Sequence, residues 1–407
     1  MNTRRTWLTL QSILKSALLA PLFLIALILG LSGPAAAQNQ APLKVGLLLP
    51  LTGPFSTTGK QLEAGARLYL AQHGDTVAGR KIQLIVKDDM ATPDVAKRLA
   101  QELLVTDKVH VLAGFGLTPL AFAVAPMATQ TKTPMVVMAA ATSSITQASP
   151  YIVRSSFTVP QVVMPLADWA WQNGMRKVVS LVTDYAPGID SEKYFKERFT
   201  ARGGVVVETL RVPLRNPDFA PFLQKVRDLQ PDALFTFVPA GVGTVLMKQF
   251  HERGLAQAGI RVIAEGSVTD DDILDGMGDT ALGVVTSHHY SAAHDSAANR
   301  TFVAAFRQAN AGARPNFMAV GAYDGMRLIV EALRKTQGDS SGDALLAAMK
   351  GFSFESPRGP VHIDPATRDI VHDIYIRRVE RRPDLGKQLY NTEIATIPQV
   401  QDPGKTR

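Results

Sequence analysis

The 407-residue chain contains no cysteine, which excludes disulfide frameworks, thiolate metal sites and cysteine nucleophiles at once. A lipid-anchored bacterial export product is excluded too, because the lipid is carried by a cysteine at the cleavage site. Excess charge of one sign is also scarce. The formal net charge is +7, and Arg4, Arg5 and Lys15 carry three of those charges near the amino terminus, which leaves too little on the rest to argue for nucleic acid. Familiar catalytic spacings are missing: there is no phosphate-binding loop and no H-E-x-x-H.

What is present begins with a three-part leader. Arg4, Arg5 and Lys15 form a positive region, Ser16 to Leu31 is apolar, and Ala35-Ala36-Ala37 is a small-residue cleavage site, so residues 1–37 are expected to be a signal peptide cut after Ala37. An uncleaved anchor is the competing reading, since the apolar run approaches the roughly 18 residues that favour spanning. Thr3-Arg4-Arg5-Thr6-Trp7-Leu8 resembles a twin-arginine signal, with Lys15 interrupting it, so the export route stays open.

From Leu43 onward, short β-branched runs alternate with helical patterns, which predicts βαβ units and parallel sheets. Strands are expected at Leu43–Leu49, Lys81–Lys87, Val109–Ala113 and Pro134–Met138. The pattern restarts after Pro160 with strands at Lys177–Val182, Gly204–Val212, Ala233–Val238 and Arg261–Ala264, so two similar halves are expected.

The chemistry-bearing clusters are weak. Gly241-Val242-Gly243 follows a strand, but Leu246 stands where a dinucleotide fingerprint needs a third glycine. His288-His289 with His294 and Asp295 could suggest a metal, yet adjacent residues on an extended segment point to opposite faces, and exposed loop histidines are expected. Asp270-Asp271-Asp272 and Asp88-Asp89 lack the glycine and distal glutamate of a calcium loop and are expected as caps and solvated turns. No cofactor and no metal are expected, and no enzymatic activity.

Six loops carry more information. Thr52–Gly59, Gly114–Pro119, Ala139–Ser144, Asp184–Gly188, Pro239–Gly243 and Glu265–Thr269 each lie between a strand's carboxyl end and a helix start and are rich in small or hydroxyl residues. Ligands of open α/β sheets lie at that edge, where backbone N–H groups and the helix dipole receive anions such as a carboxylate. Ordinary capping would account for any one loop. Six in two matching halves point to a cleft.

The mature chain resembles the periplasmic leucine/isoleucine/valine-binding family of branched-chain amino acid ABC transporters. The resemblance rests on Val45–Pro54 with Gly59 and Gly65, on Lys87-Asp88-Asp89, on Gly114 with Ala125-Pro126, on Pro134 to Thr146, and on Gly203, Asp218-Phe219, Pro231-Asp232 and Gly254-Leu255. It implies an α/β fold of two Rossmann-like lobes joined by three crossovers and closing on a ligand. The expected first lobe is 43–158 plus 289–368, the second 159–288 plus 369–392, and 393–407 is expected as a polar tail.

The resemblance also implies ligand residues. Thr118 falls where the family holds an α-carboxylate through a serine, and Ala139 at a backbone-carbonyl position. Ala141 replaces a family threonine, with Thr142 and Ser143 able to supply its hydroxyl, and Pro187 replaces a tyrosine, with Tyr185 two residues earlier. Glu265 falls at the acidic partner of the ammonium group, with strand-end capping an equal alternative. Two lost polar contacts weaken the case for an amine, because a buried ammonium needs aligned acceptors. An aromatic carboxylate would instead stack on rings drawn from Phe55, Phe115, Phe157, Tyr185, Tyr290 and Tyr323, with Tyr185 and Tyr290 the favoured pair.

The expected function is therefore a periplasmic solute-binding subunit of an ABC importer. Its small-molecule ligand would be a branched-chain or other hydrophobic amino acid, or alternatively an aromatic or aliphatic carboxylic acid without an amine. Its partner would be an inner-membrane permease with its ATPase, with no nucleic acid involved and the chain acting as a monomer. A ligand-sensing subunit for a receptor and an exported enzyme on the same scaffold are the other two readings.

Overall fold

Strand and helix alternate along the chain because short apolar β-branched runs are cut by capped amphipathic segments, and the result is two sheets of matching topology. The computed structural model describes residues 40–386 and 388–405. The expected signal peptide, residues 1–37, lies outside them.

The first sheet comprises β1 (Gln40–Leu49), β2 (Thr76–Val77), β3 (Arg80–Asp88), β4 (Val111–Gly114), β5 (Met135–Val137) and β6 (Ile152–Arg154), in the order β2-β3-β1-β4-β5-β6. The second comprises β7 (Lys177–Thr183), β8 (Val205–Val212), β9 (Ala233–Phe237), β10 (Arg261–Glu265), β11 (Val285–His288), β12 (Ser353–Ser356), β13 (Gly359–Ile363), β14 (Ile370–Arg382) and β15 (Gln388–Val400). Its order is β12-β13-β14-β11-β10-β9-β7-β8, with β15 paired to β14. Strands β7 to β11 are mutually parallel, whereas β12 to β15 add antiparallel neighbours.

Each sheet contains the same doubly wound sequence, β3-β1-β4-β5-β6 in one and β8-β7-β9-β10-β11 in the other. Strand order reverses between β1 and β4 and again between β7 and β9, and at such a switch point the flanking loops diverge and leave a crevice. Two crevices follow from two matching topologies.

Helix Phe317–Lys335 is the most buried of the helices and packs on helix Ser56–His73. A side chain at Gly65 would place its Cβ 2.1 Å from the carbonyl oxygen of Ala319, so this approach requires glycine. The chain crosses between the two sheets after β6, after β11, and between helix Gly342–Met349 and β12. The buried Arg358 ties segments beside the first two crossings to β14: Nη1 donates to Ser156 O at 2.9 Å and to His289 Nδ1 at 2.8 Å, and stands 3.3 Å from His372 Nδ1.

Several expectations change. Of the stretch 393–407, expected as a polar tail, residues 393–400 belong to β15, which is buried at Leu389–Asn391 and grows more exposed towards Val400. Residues 353–363, expected in the first lobe, form β12 and β13 of the second sheet. His288 and His289, expected as exposed loop residues, are wholly buried, and so are Asp270 and Asp271 nearly, expected in solvated turns. The reason is long-range pairing: Asn391 Nδ2 donates to Asp271 Oδ1 at 3.2 Å, and Arg358 meets His289 from 69 residues away.

Candidate functional site

The loop after β4 has unusual backbone geometry. Gly114 has φ +106° and Phe115 has φ +65°, so two consecutive residues take left-handed conformations before the helix Thr118–Thr131 begins. The residue preceding that helix, Leu117, offers no side-chain cap; Pro119 has no N–H and the Leu120 N–H donates to Leu117 O at 3.2 Å, which leaves the Thr118 N–H as the helix-start donor for an anion. Thr118 is 1 % exposed, and its hydroxyl donates to Thr142 Oγ1 at 3.3 Å.

Ala139, Ala140 and Ala141 follow β5, and their small side chains leave room in front of Thr118. Arg154 supports this loop from behind. Its Nη2 donates to Thr142 O at 2.8 Å and its Nη1 to Ala140 O at 3.3 Å, while its Nε lies 3.0 Å from Asp369. The guanidinium is consumed by backbone carbonyls and one carboxylate.

A cavity lies between these loops and their counterparts in the second lobe. Thr58, Gly116, Leu117, Thr118 and Ala139–Ala141 line it from the first lobe, and Tyr185, Pro187, Phe237, Pro239, Ala240 and Ser267 from the second. Phe157, Phe317 and Met318 close it near the crossings. All the strand-end contributions come from carboxyl ends, where the two switch points place them. Phe157 meets Phe317 edge to face with ring centroids 5.6 Å apart, and Tyr185 lies 6.1 Å from Phe237. No lining side chain carries a charge. Such a site suits a flat apolar body with one anionic end, which hydroxyls and the helix-start N–H can receive.

Glu265 stands behind the lining. Its Oε2 accepts the backbone N–H of Ser267 at 3.0 Å and its Oε1 lies 3.2 Å from His288 Nε2, with neither side chain exposed. The backbone N–H of His289 donates to His288 Nδ1 at 2.8 Å, so the ring carries its proton on Nε2, aimed at Glu265. Burial holds His288 down to about 4, more than the hydrogen bond and charge of Glu265 raise it, so the ring is neutral. Burial, and after it the charge of Glu265, pushes the Tyr185 phenol up.

The expected site residues are thus divided. Thr118, Ala139, Ala141 and Tyr185 line one cavity, and Thr142 touches it through Thr118. Glu265 takes the strand-end capping place. Tyr290 is elsewhere: it is fully buried, donates to Asn299 Oδ1 at 3.1 Å and packs near Phe302. Of the other candidate rings, Phe157 lines the cavity, whereas Phe55, Phe115 and Tyr323 do not. Phe237, Phe317 and Ser267 were missed individually. Ser267 lay in a flagged loop and Phe237 just ahead of one, while Phe317 gave no signal beyond opening a helix.

Two lobes of equal topology around one uncharged cavity are the build of a solute-binding protein. The chain belongs to the periplasmic binding protein family, whose model it matches over residues 42–384. It is 43% identical over 373 residues to Leu/Ile/Val-binding protein homolog 6 of Brucella melitensis, covering 91% of this chain and 95% of that one. It is 60% identical, with a TM-score of 0.88, to a solute binding protein of an ABC transporter from Rhodopseudomonas palustris BisB5 in complex with 3,4-dihydroxybenzoic acid, over 90% of this chain and 99% of that one. A second such protein, from R. palustris HaA2 in complex with p-hydroxybenzoic acid, is 41% identical with a TM-score of 0.86, over 90% of this chain and 100% of that one. The function is accordingly solute binding for ABC transport, and the compartment is the periplasm.

Proposed function

We propose that this protein captures aromatic carboxylates of the benzoate class and delivers them to an inner-membrane ABC permease. The observation that carries this reading is a cavity walled by Phe157, Tyr185, Phe237 and Phe317 with no charged lining side chain. An α-ammonium group would be desolvated there without an adjacent free carboxylate, at a cost of several kcal/mol. A carboxylate finds the Thr118 hydroxyl and the Thr118 backbone N–H at the start of helix Thr118–Thr131. The complexes of the two R. palustris relatives with hydroxylated benzoic acids support the same ligand class.

Ligand bridging the two lobes shifts the open and closed populations towards closed, and the closed form is what the permease meets. The chain acts as a monomer, made with a cleavable leader, and no covalent step is involved. Calorimetric titration of protein stripped by unfolding and refolding tests the reading. Benzoate, 4-hydroxybenzoate or 3,4-dihydroxybenzoate is expected to bind near the micromolar range, about 8 kcal/mol, and leucine and valine not to bind. Binding of leucine without any of the aromatic acids would sink it.

A further inference from the structure

One polar group in the cavity has no role in holding a carboxylate at the first lobe. Ser267 follows β10 in the second lobe, is 4 % exposed and lines the cavity. Its backbone N–H is held by Glu265 Oε2 at 3.0 Å, and Glu265 is itself backed by His288. The Ser267 hydroxyl makes no hydrogen bond with the described residues. A hydroxyl so deeply enclosed loses water on closure, and leaving it unmatched is unfavourable. The hydroxyls on the opposite side differ: Thr118 is engaged with Thr142, and Thr58 opens beside the same first-lobe loop.

We propose that Ser267 recognises a ring hydroxyl of the aromatic acid, so that carboxylate and hydroxyl are read by different lobes. This rests on the aromatic-carboxylate reading above. The benzene ring separates the two groups, the aromatic walls hold it flat, and the anchor at Thr118 directs the far edge of the ring towards the second lobe. The Ser267 oxygen can accept from a phenol or donate to it. A site built to bond a hydroxyl discriminates against the analogue that lacks it, because the protein group is then stranded.

The test is calorimetric titration of the full mature chain with the matched pair 4-hydroxybenzoate and benzoate, in wild type, Ser267→Ala and Tyr185→Phe. Wild type is expected to prefer the hydroxylated acid by about tenfold. In Ser267→Ala that preference falls to near unity while benzoate affinity stays within about threefold, and in Tyr185→Phe the preference persists. An equal loss for both acids in Ser267→Ala, no wild-type preference, or collapse of the preference in Tyr185→Phe instead would each overturn the role of Ser267. If wild type binds neither acid, the aromatic reading falls and this role falls with it.

Discussion

Glu265 and His288 face one another across 3.2 Å with no solvent at either side chain. One carboxylate oxygen accepts the Ser267 N–H, and the other faces the imidazole. Neither Glu265 nor His288 lines the cavity. His288 ordinarily titrates near 6.5 but is held to about 4 by burial, so the unfolded chain takes up its proton first as pH falls. The stabilising contribution of the neutral ring is fully present above 6.5 and is lost as pH falls towards 4. The loss amounts to about 3 kcal/mol. His289 and His372, also held down by burial, act in the same direction. Asp89 and Asp272, pushed up to about 6 chiefly by burial, act in the opposite direction below that pH.

The stability advantage of wild type over His288→Gln is therefore expected to shrink between pH 7.5 and 5. Denaturant melts of both proteins across that range measure it. A pH-independent gap would show that His288 is not held neutral by the fold.

The parts of this arrangement that follow from local chemistry were legible in the sequence, and the parts that need distant partners were not. Alternation of β-branched runs with capped helices predicted the two sheets, and strand-end loops rich in Gly, Ser and Thr placed Thr118, Ala139 and Tyr185 at the cleft. Tyr290 also sits just beyond a strand, but its hydroxyl turns to Asn299 in the core. Local pattern cannot tell those two tyrosines apart. Likewise, nothing near His288-His289 announces burial, because Arg358 and His372, which surround His289, come from segments far along the chain. The Asp-rich turn looks solvated until Asn391 and Asn316 reach it from elsewhere.

Thr118→Val keeps the shape of the side chain and removes its hydroxyl. If that hydroxyl receives the ligand carboxylate, affinity for benzoate-class acids should fall about 10- to 100-fold, the range for a hydrogen bond to a charged group. Melting temperature should shift little, since the bond to Thr142 at 3.3 Å is long. Unchanged affinity by calorimetry would put the anchor on the backbone N–H alone.

Arg358 and Asp324 form a wholly buried ion pair at 2.7 Å, and Ser356 Oγ donates to the same carboxylate at 2.8 Å. Arg358→Met strips the crossings of their shared donor and leaves Asp324 uncompensated. Such a break costs about 3–5 kcal/mol. Part of that loss should return in the double variant Arg358→Met with Asp324→Leu, because neither charge then remains buried. Urea unfolding of the three proteins decides between charge imbalance and lost packing: a double variant no more stable than the single one would favour packing.

The end of the described chain fastens the ligand loop from outside. Ser143 Oγ donates to Asp402 Oδ2 at 2.6 Å, and Lys405 Nζ donates to Thr146 Oγ1 at 2.6 Å while pairing with Asp369. Asp369 in turn holds Arg154, the residue that grips the carbonyls of Ala140 and Thr142. From the second lobe, Asp190 Oδ2 accepts the N–H of Ser143 at 3.3 Å. Residues beyond β15 thus act on the cavity through two ionic steps. Lys405→Ala leaves Asp369 with one cation in a buried site, where burial already pushes its carboxyl up. The expected cost is about 1–3 kcal/mol of stability, with a several-fold weaker affinity for aromatic acids as the Ala139–Thr142 loop loosens. Melting and titration of the same variant separate the two effects: a stability loss with unchanged affinity would confine the chain end to bracing the fold.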